Sequence, residues 1–341
     1  MKAAVYMGNH VISFNDLPIP QIGDNDILVK VQSCGVCGTD VHIFEGNEGA
    51  AQTNPPVILG HEFSGIVDKA GNRVQNVKVG DRVSVDPNNT CGSCYYCRNG
   101  RAHFCENMTG YGTTTDGGFA QYCAVHSKQA FHLPDNVSFE EGAMIEPVAC
   151  CLHGVDCCEI TTGSAVMIFG AGTIGLIMLQ LAKLAGASTV IVSEPIREKR
   201  NIAKKLGADI AIDPLNDNMN DIIRKHGIAD INTVIECVGL KNTMIDAIRY
   251  AGRCSTVMLF GLGSPNDEIP VKPFELFKKE ITIRASYINP YTQGRSLDII
   301  KSGKIDIKSL ISHITDLSQL EEVLENPNIR SSGKVIVNPW T

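Results

Sequence analysis

The sequence predicts a two-part α/β protein, with a β-rich unit built from both ends of the chain and a doubly wound parallel-sheet unit inserted between them. Three observations predict it. Short Val/Ile-rich runs separated by Gly, Pro and Asn turns fill the first third, and from about residue 163 strands alternate with helical stretches. The third is a G-x-G-x-x-G run at the first strand-to-helix junction of that second pattern. In chain order, Ile27–Val31, Ser64–Asp68 and Arg82–Val85 read as short strands that pair in antiparallel or barrel-like fashion. Ala165–Phe169, Ile174–Ala185, Thr189–Ser193, Ile196–Leu206, Thr233–Cys237, Thr243–Tyr250 and Ser255–Phe260 then alternate strand and helix, the signature of βαβ units. After Ile281–Arg284 come a Pro/Tyr stretch at Asn289–Tyr291, two amphipathic helical stretches and a last strand at Lys334–Val337. No internal repeat is visible.

At 341 residues the chain has room for two domains, because a single core stops growing at about 250–300 residues. Hydrophobic residues make up 43% and charged residues 20%, the balance of a folded globular protein. Thirty Lys and Arg against 37 Asp and Glu leave a formal charge of −7, which argues against a general nucleic-acid or anionic-membrane binder. Ala165–Ala182 runs eighteen residues without a charge, yet Gly170, Gly172 and Gly175 interrupt it, so a buried strand followed by a buried helix is expected there and not a membrane span. The thirteen Cys are odd in number and too few for a disulfide scaffold. Met1–Tyr6 leads into polar Asn9 and His10 with no signal-peptide pattern, so a reducing, cytoplasmic compartment is expected, with thiols as metal ligands or small buried hydrophobes.

The run Gly170-Ala171-Gly172-Thr173-Ile174-Gly175 follows a strand and opens a helix, the context in which a dinucleotide pyrophosphate meets a helix N-terminus. Glu194 ends the next strand, nineteen residues beyond Gly175, where an acid accepts from the adenosine ribose hydroxyls and repels a 2′-phosphate. NAD is therefore expected over NADP, although Arg197, Lys199 and Arg200 lie close enough to attract that phosphate. Cys91, Cys94, Cys97 and Cys105 form C-x2-C-x2-C-x7-C, four thiolates able to close a tetrahedron around a structural Zn²⁺ and pin a lobe with no core of its own. A second set is split along the chain: Cys37 in Cys37-Gly38-Thr39-Asp40-Val41-His42, then Gly60-His61-Glu62, then Ile145-Glu146-Pro147. Thiolate, imidazole and carboxylate are mixed zinc ligands, and three of them leave a position for substrate.

Gly60-His61-Glu62-Phe63-Ser64-Gly65 with Gly71 and Val74, together with Cys37, Thr39 and His42, the four-Cys lobe, Gly80-Asp81-Arg82-Val83 and the glycine run, resembles the zinc-containing medium-chain dehydrogenase/reductase superfamily over nearly the whole chain. Glu146-Pro147 resembles its polyol (sorbitol-type) and threonine dehydrogenase branch. The resemblance implies a GroES-like β-rich catalytic domain over 1–148 and 289–341, with the structural zinc lobe at about 86–108, and a Rossmann domain over 149–288. It implies that Cys37 and His61 bind a catalytic zinc, with Glu62 and Glu146 as third ligand, exchanging partner or acceptor for zinc-bound water, and which carboxylate binds directly stays open. Cys150 and Cys151 are the alternative donors near Glu146.

Further implications of the resemblance are a Thr39-to-His42 proton relay, cofactor contacts from Thr173, Ile174, Lys199, Val238, Gly239, Phe260, Gly261 and Leu262, and Phe119 at the substrate cleft. The expected reaction is hydride transfer between a secondary alcohol of a small polyol or sugar alcohol, free or phosphorylated, and NAD, giving the ketone or ketose, with 2,3-butanediol and L-threonine as alternative substrates. Ile288 and Asn289 stand where sorbitol-type enzymes carry an Arg-Tyr pair, a departure that leaves sorbitol itself in doubt. Tyr287, Asn289, Tyr291 and Arg295 are read either as binders of other hydroxyls or of a phosphate, or, for Arg295, as a solvated loop charge. A non-catalytic relative would break the Cys37/His61 pair or the Thr39/His42 relay, and neither is broken. A homodimer or homotetramer is expected, with Ser255–Phe260 as the edge strand at its interface. The remaining cysteines (34, 123, 150, 151, 157, 158, 237 and 254) are expected to be small and buried.

Overall fold

The computed structural model describes residues 1–47 and 52–341. Their contacts divide into two compact units: Met1–Ala149, Ile288–Gly303 and Ile307–Thr341 in one, Cys150–Tyr287 and Lys304–Asp306 in the other.

The first unit is β-rich because its strands bury alternate or near-continuous apolar positions on a shared core. Strand Asp26–Gly35 is the hub. Glu62–Ala70 and Tyr122–His126 pair with it antiparallel, and so does the C-terminal strand Lys334–Val337, which closes Cys34 and Gly35 against Val337 and Ile336. Arg82–Val85 and Ala130–His132 continue the sheet beyond Glu62–Ala70, and Ile311–Thr315 continues it beyond Lys334–Val337, giving seven strands. Ile27, Val29, Val31, Phe63, Val67 and Val83 fill the core with Phe119, which is fully buried. That corrects the expectation that Phe119 faces a substrate cleft. Its carbonyl accepts from the Ala4 N–H at 2.9 Å and its ring lies under Gly60, so the apolar side chain is part of the packing beneath the site.

The second unit holds six parallel strands, from edge to edge Ile210–Ile212, Thr189–Ser193, Ala165–Phe169, Thr233–Glu236, Thr256–Leu259 and Thr282–Ala285. Numbered within the unit this is the doubly wound order 3-2-1-4-5-6, with its switch point beside the first strand. The uncharged run at 165–182 resolves into strand Ala165–Phe169, buried at every position, and helix Thr173–Leu184. Among the described residues no helix is long and apolar enough to cross a membrane.

Two expectations are corrected here. Thr256–Leu259 lies inside the sheet, paired on both sides, and the edge is Thr282–Ala285, because the last crossover adds one more parallel strand outside it. Cys254 is exposed, at φ 52°, and its thiol donates to the Glu280 carboxylate at 3.4 Å, so it is not a buried hydrophobe. Cys150, Cys157 and Cys237 are half-buried, while Cys34, Cys123, Cys151 and Cys158 are buried.

Candidate metal centres and nucleotide site

The four thiols of Cys91, Cys94, Cys97 and Cys105 lie within 4.8 Å of one another. Zinc–sulfur bonds of about 2.3 Å put tetrahedral sulfurs about 3.8 Å apart, so a small inward movement closes the set. Only short elements carry it, a helix at Tyr95–Arg98 and a 3-10 turn at Ala102–Phe104. Backbone N–H groups already point at sulfur: Ser93 and Cys94 donate to Cys91 at 3.5 and 3.4 Å, and Cys91 donates to Cys105 at 3.3 Å. The Ser93 N–H leads the donors that lower the Cys91 thiol to about 5, while desolvation first and neighbouring sulfurs second push Cys97 up to about 12. Concentrated negative charge in a polar loop is what a divalent cation relieves.

The second group forms where two strands end. Asp26–Gly35 delivers Cys37 as the N-cap of helix Gly38–Phe44, and Glu62 opens the neighbouring strand directly opposite Gly35. A Cβ on Gly35 would sit 2.2 Å from Glu62 Oε2, so only glycine leaves room for that carboxylate. The ligand atoms of Cys37, His61 and Glu62 lie within 4.8 Å of one another. Buried Asp40 orders them: its Oδ2 accepts from the Cys37 N–H at 2.8 Å, its Oδ1 accepts from the Gly60 N–H at 3.3 Å, and Oδ1 stands 3.4 Å from His61 Nδ1. A carboxylate behind a ligating imidazole fixes the ring and raises its basicity. Burial disfavours a proton on His61, but the Asp40 carboxylate and the Cys37 sulfur outweigh it and hold the imidazole well above its ordinary range. Mixed thiolate, imidazole and carboxylate donors around a buried, electron-rich pocket fit a zinc ion.

Glu62 has a cation of its own. Lys334, from the C-terminal strand, donates to both Glu62 oxygens at 2.8 and 2.6 Å and to the Val36 carbonyl at 3.2 Å. Glu146 is buried in the first turn of helix Ile145–Cys158, outside the group of ligand atoms, and its charge is felt at Lys334. Neither Cys150 nor Cys151 joins that group. Thr39 and His42 are half-buried and three apart on helix Gly38–Phe44, which puts them on one face.

In the second unit, strand Ala165–Phe169 runs into the glycine loop, and Gly172 is the N-cap of helix Thr173–Leu184 with no side-chain cap. A Cβ on Gly172 would meet nothing within 4 Å, whereas one on Gly175 would lie 2.0 Å from the Gly170 carbonyl. The loop thus leaves its helix N-terminus open to an anion and packs helix tightly on strand. Glu194 is buried and accepts from the Ala171 and Ile196 N–H groups at 2.8 and 2.9 Å. Arg200 is engaged with the Glu194 and Pro195 carbonyls at 2.7 Å each and with Asp213 at 3.0 Å, Lys199 is half-buried and Arg197 is exposed. Glu236, buried, accepts from the Val238 and Gly239 N–H groups at 2.8 and 3.0 Å, and its carbonyl accepts from Phe260 and Gly261. Those four residues with Leu262, which is exposed, form one loop face at the strand ends.

Residues 23–135 match the family model described as the alcohol dehydrogenase GroES-like domain, and residues 173–300 match the zinc-binding dehydrogenase model. The chain is 34% identical to D-arabinitol dehydrogenase 1 of Uromyces fabae, over 99% of this chain and 97% of that protein. The chain belongs to the zinc-containing medium-chain dehydrogenase/reductase superfamily. Its fold is shared with a zinc-binding dehydrogenase from Sinorhizobium meliloti bound to NADP, at TM-score 0.94 and 39% identity over 99% of each chain. It is shared also with galactitol-1-phosphate dehydrogenase from Escherichia coli, at TM-score 0.89 and 27% identity over 99% of this chain and 100% of that one.

Two residues of this medium-chain dehydrogenase escaped the sequence reading. Asp40 stands in the Cys37–His42 stretch, and its spacing gives no sign that it backs His61. Lys334 opens an ordinary apolar strand, Lys334–Val337, where a buried lysine 272 residues from its partner has no local signature.

Proposed function

We propose that this medium-chain dehydrogenase oxidises a secondary alcohol of a small polyol or sugar alcohol to the ketone, with NAD as hydride acceptor. The observation that carries the reading is the Cys37–His61–Glu62 group backed by Asp40. A zinc ion held there by these residues would supply Lewis acidity toward the substrate hydroxyl. Cys37 and His61 are the proposed ligands, Glu62 the third donor and Glu146 its exchanging partner. Asp40 keeps His61 in the orientation that presents Nε2, and Lys334 balances the carboxylate charge so that the site stays compact. Thr39 Oγ1 accepts the proton released from the substrate hydroxyl and passes its own to the His42 ring, which delivers it to solvent. The glycine loop with Thr173 and Ile174 holds the pyrophosphate, and Val238, Gly239, Phe260, Gly261 and Leu262 line the rest of the cofactor.

NAD is favoured because Glu194 offers a buried carboxylate to ribose hydroxyls, and Arg200 is committed to carbonyls and to Asp213. A four-thiolate zinc in the Cys91–Cys105 lobe is structural. We further infer that two copies associate through the Thr282–Ala285 edge. Its Ile283 is 37% exposed, and Phe274 and Phe277 on the preceding helix are 69% and 79% exposed.

The test is a panel of sorbitol, D-arabinitol, their phosphates, 2,3-butanediol and L-threonine, read by reduced-nicotinamide absorbance with NAD and then NADP. Turnover of a polyol or its phosphate with NAD is expected. Preference for L-threonine or butanediol would replace the substrate assignment, and no turnover of any member would overturn the reading. His42→Ala should slow oxidation about tenfold or more near pH 7 and much less near pH 10, where hydroxide can take the proton directly; equal slowing at both would remove His42 from the relay.

A further inference from the structure

We infer that Thr292 is a positioning residue for this dehydrogenase: an amide knot at the foot of the cysteine lobe holds it, and its hydroxyl fixes the helix that carries Glu146. The inference rests on the dehydrogenase reading above and deepens it. Thr292 is the N-cap of helix Gln293–Lys301, where a threonine hydroxyl ordinarily accepts from an N–H in the first turn of its own helix. It makes no such bond. At 2% exposure, the hydroxyl donates instead to the carbonyl of Ala149, in helix Ile145–Cys158, at 2.8 Å. Ala149 is fully buried and stands three residues beyond Glu146, on the same face of that helix. The hydroxyl thus forgoes a cap in its own helix and ties two helices together, at the turn that places the Glu146 carboxylate.

A closed set of amides holds Thr292. Its N–H donates to the Asn289 carbonyl at 3.3 Å. Asn289, 1% exposed, donates from Nδ2 to Asp86 Oδ1 at 3.3 Å and to Gln293 Oε1 at 3.2 Å, and it accepts from Asn88 Nδ2 at 2.5 Å. Gln129, also buried, donates to the Asp86 and Asn88 carbonyls at 3.1 and 2.7 Å, and Asp86 Oδ1 accepts from the Asn88 N–H at 3.0 Å. These groups are spent on one another, which suits a brace and not a ligand wall.

The knot reaches three elements. Asn88 belongs to the strand pair Asn88–Asn89 with Thr109–Gly110, through which the chain enters and leaves the cysteine lobe. Gln293 Nε2 donates to Ser84 Oγ at 3.4 Å, and Ser84 pairs across the sheet with Ser64, two residues after Glu62. Thr292 carries the connection to the Glu146 helix. The backbone beside Asn289 is strained, with Ile288 at φ 47° and Tyr291 at φ 59°. Residues in the left-handed region persist only where their surroundings over-determine them, as the amides do here. Such stiffness matters at a reacting centre, because a displacement of about 1 Å can cost about a hundredfold in rate.

The test places zinc in the lobe and cobalt in the Cys37–His61–Glu62 group, where the visible absorption of cobalt reads the ligands around it. Thr292→Val keeps the shape of the side chain and removes the hydroxyl. It should shift the cobalt bands and lower kcat about tenfold on whichever alcohol of the panel the unaltered chain oxidises fastest, while KM for NAD stays within about twofold and the lobe keeps its zinc. Thr292→Ser should restore the bands and the rate, and Asn289→Ala should reproduce both losses from the other end of the tie. Unshifted bands in Thr292→Val, equal losses in Thr292→Ser and Thr292→Val, or a lower urea midpoint with no band shift would each overturn the inference. Unshifted bands in Asn289→Ala would overturn the part of it that gives the amide knot the holding of Thr292. If the bands shift as expected and the unaltered chain oxidises no panel alcohol, the dehydrogenase reading fails and the brace stands.

Discussion

Lys334 shows how one side chain can hold a site together. It is 6% exposed and bonds both oxygens of Glu62, which is fully buried. Burial alone would strip its proton, but the Glu62 carboxylate and the Cys37 sulfur hold its pKa above the ordinary lysine value. A group raised in this way contributes its full stability below the unfolded value near 10.4 and loses it only as pH climbs through the folded one. Lys334 should therefore add nothing to the pH dependence of stability between about pH 6 and 9. Lys334→Met leaves a buried carboxylate without its cation and should cost about 3–5 kcal/mol in urea unfolding, with Glu62→Gln in the same chain recovering part of the loss. No loss in the single variant would mean the carboxylate is satisfied elsewhere. The four clustered thiols of Cys91, Cys94, Cys97 and Cys105 were legible in the sequence because their spacing is itself the chemistry. Lys334 and Asp40 were not, since each acts on a residue that only folding brings beside it.

The cysteine lobe shows the same logic at the level of an element. A helix of four residues and a 3-10 turn of three, neither with a buried residue, cannot nucleate or bury a core, and they meet in ring contacts such as Tyr96 with Phe104 at 6.0 Å. Cys97→Ser should release one zinc per chain and speed amide exchange across residues 88–108, leaving strand Ala165–Phe169 protected. Unchanged protection would assign the lobe's order to its own packing. Elements with an apolar run or a motif were readable: the Val/Ile-rich core of strand Asp26–Gly35, the glycine loop and its helix. Strand order was not. Thr282–Ala285 became the sheet edge, and Ser255–Phe260 did not, because order in a parallel sheet is decided by where each crossover lands and not by the strand's own residues.

For the whole molecule, the exposed edge makes association a question of the sheet's unpaired hydrogen-bonding groups as much as of apolar area. Ile283→Asp should shift the protein toward monomers in light scattering without altering its zinc content, and an unchanged mass would place the interface elsewhere. The order of the two units along the chain, one interrupted by the other, has a consequence for how the protein is made. On a ribosome the segments bearing Cys37, His61 and Glu62 emerge first, most of the parallel-sheet unit follows, and the cation that balances Glu62 arrives 272 residues after it. Until that last strand emerges, a nascent chain must either keep Glu62 in water or tolerate it uncompensated. A truncated product is thus marked as incomplete by an open sheet edge and a stranded charge, features that chaperones and proteases can act on.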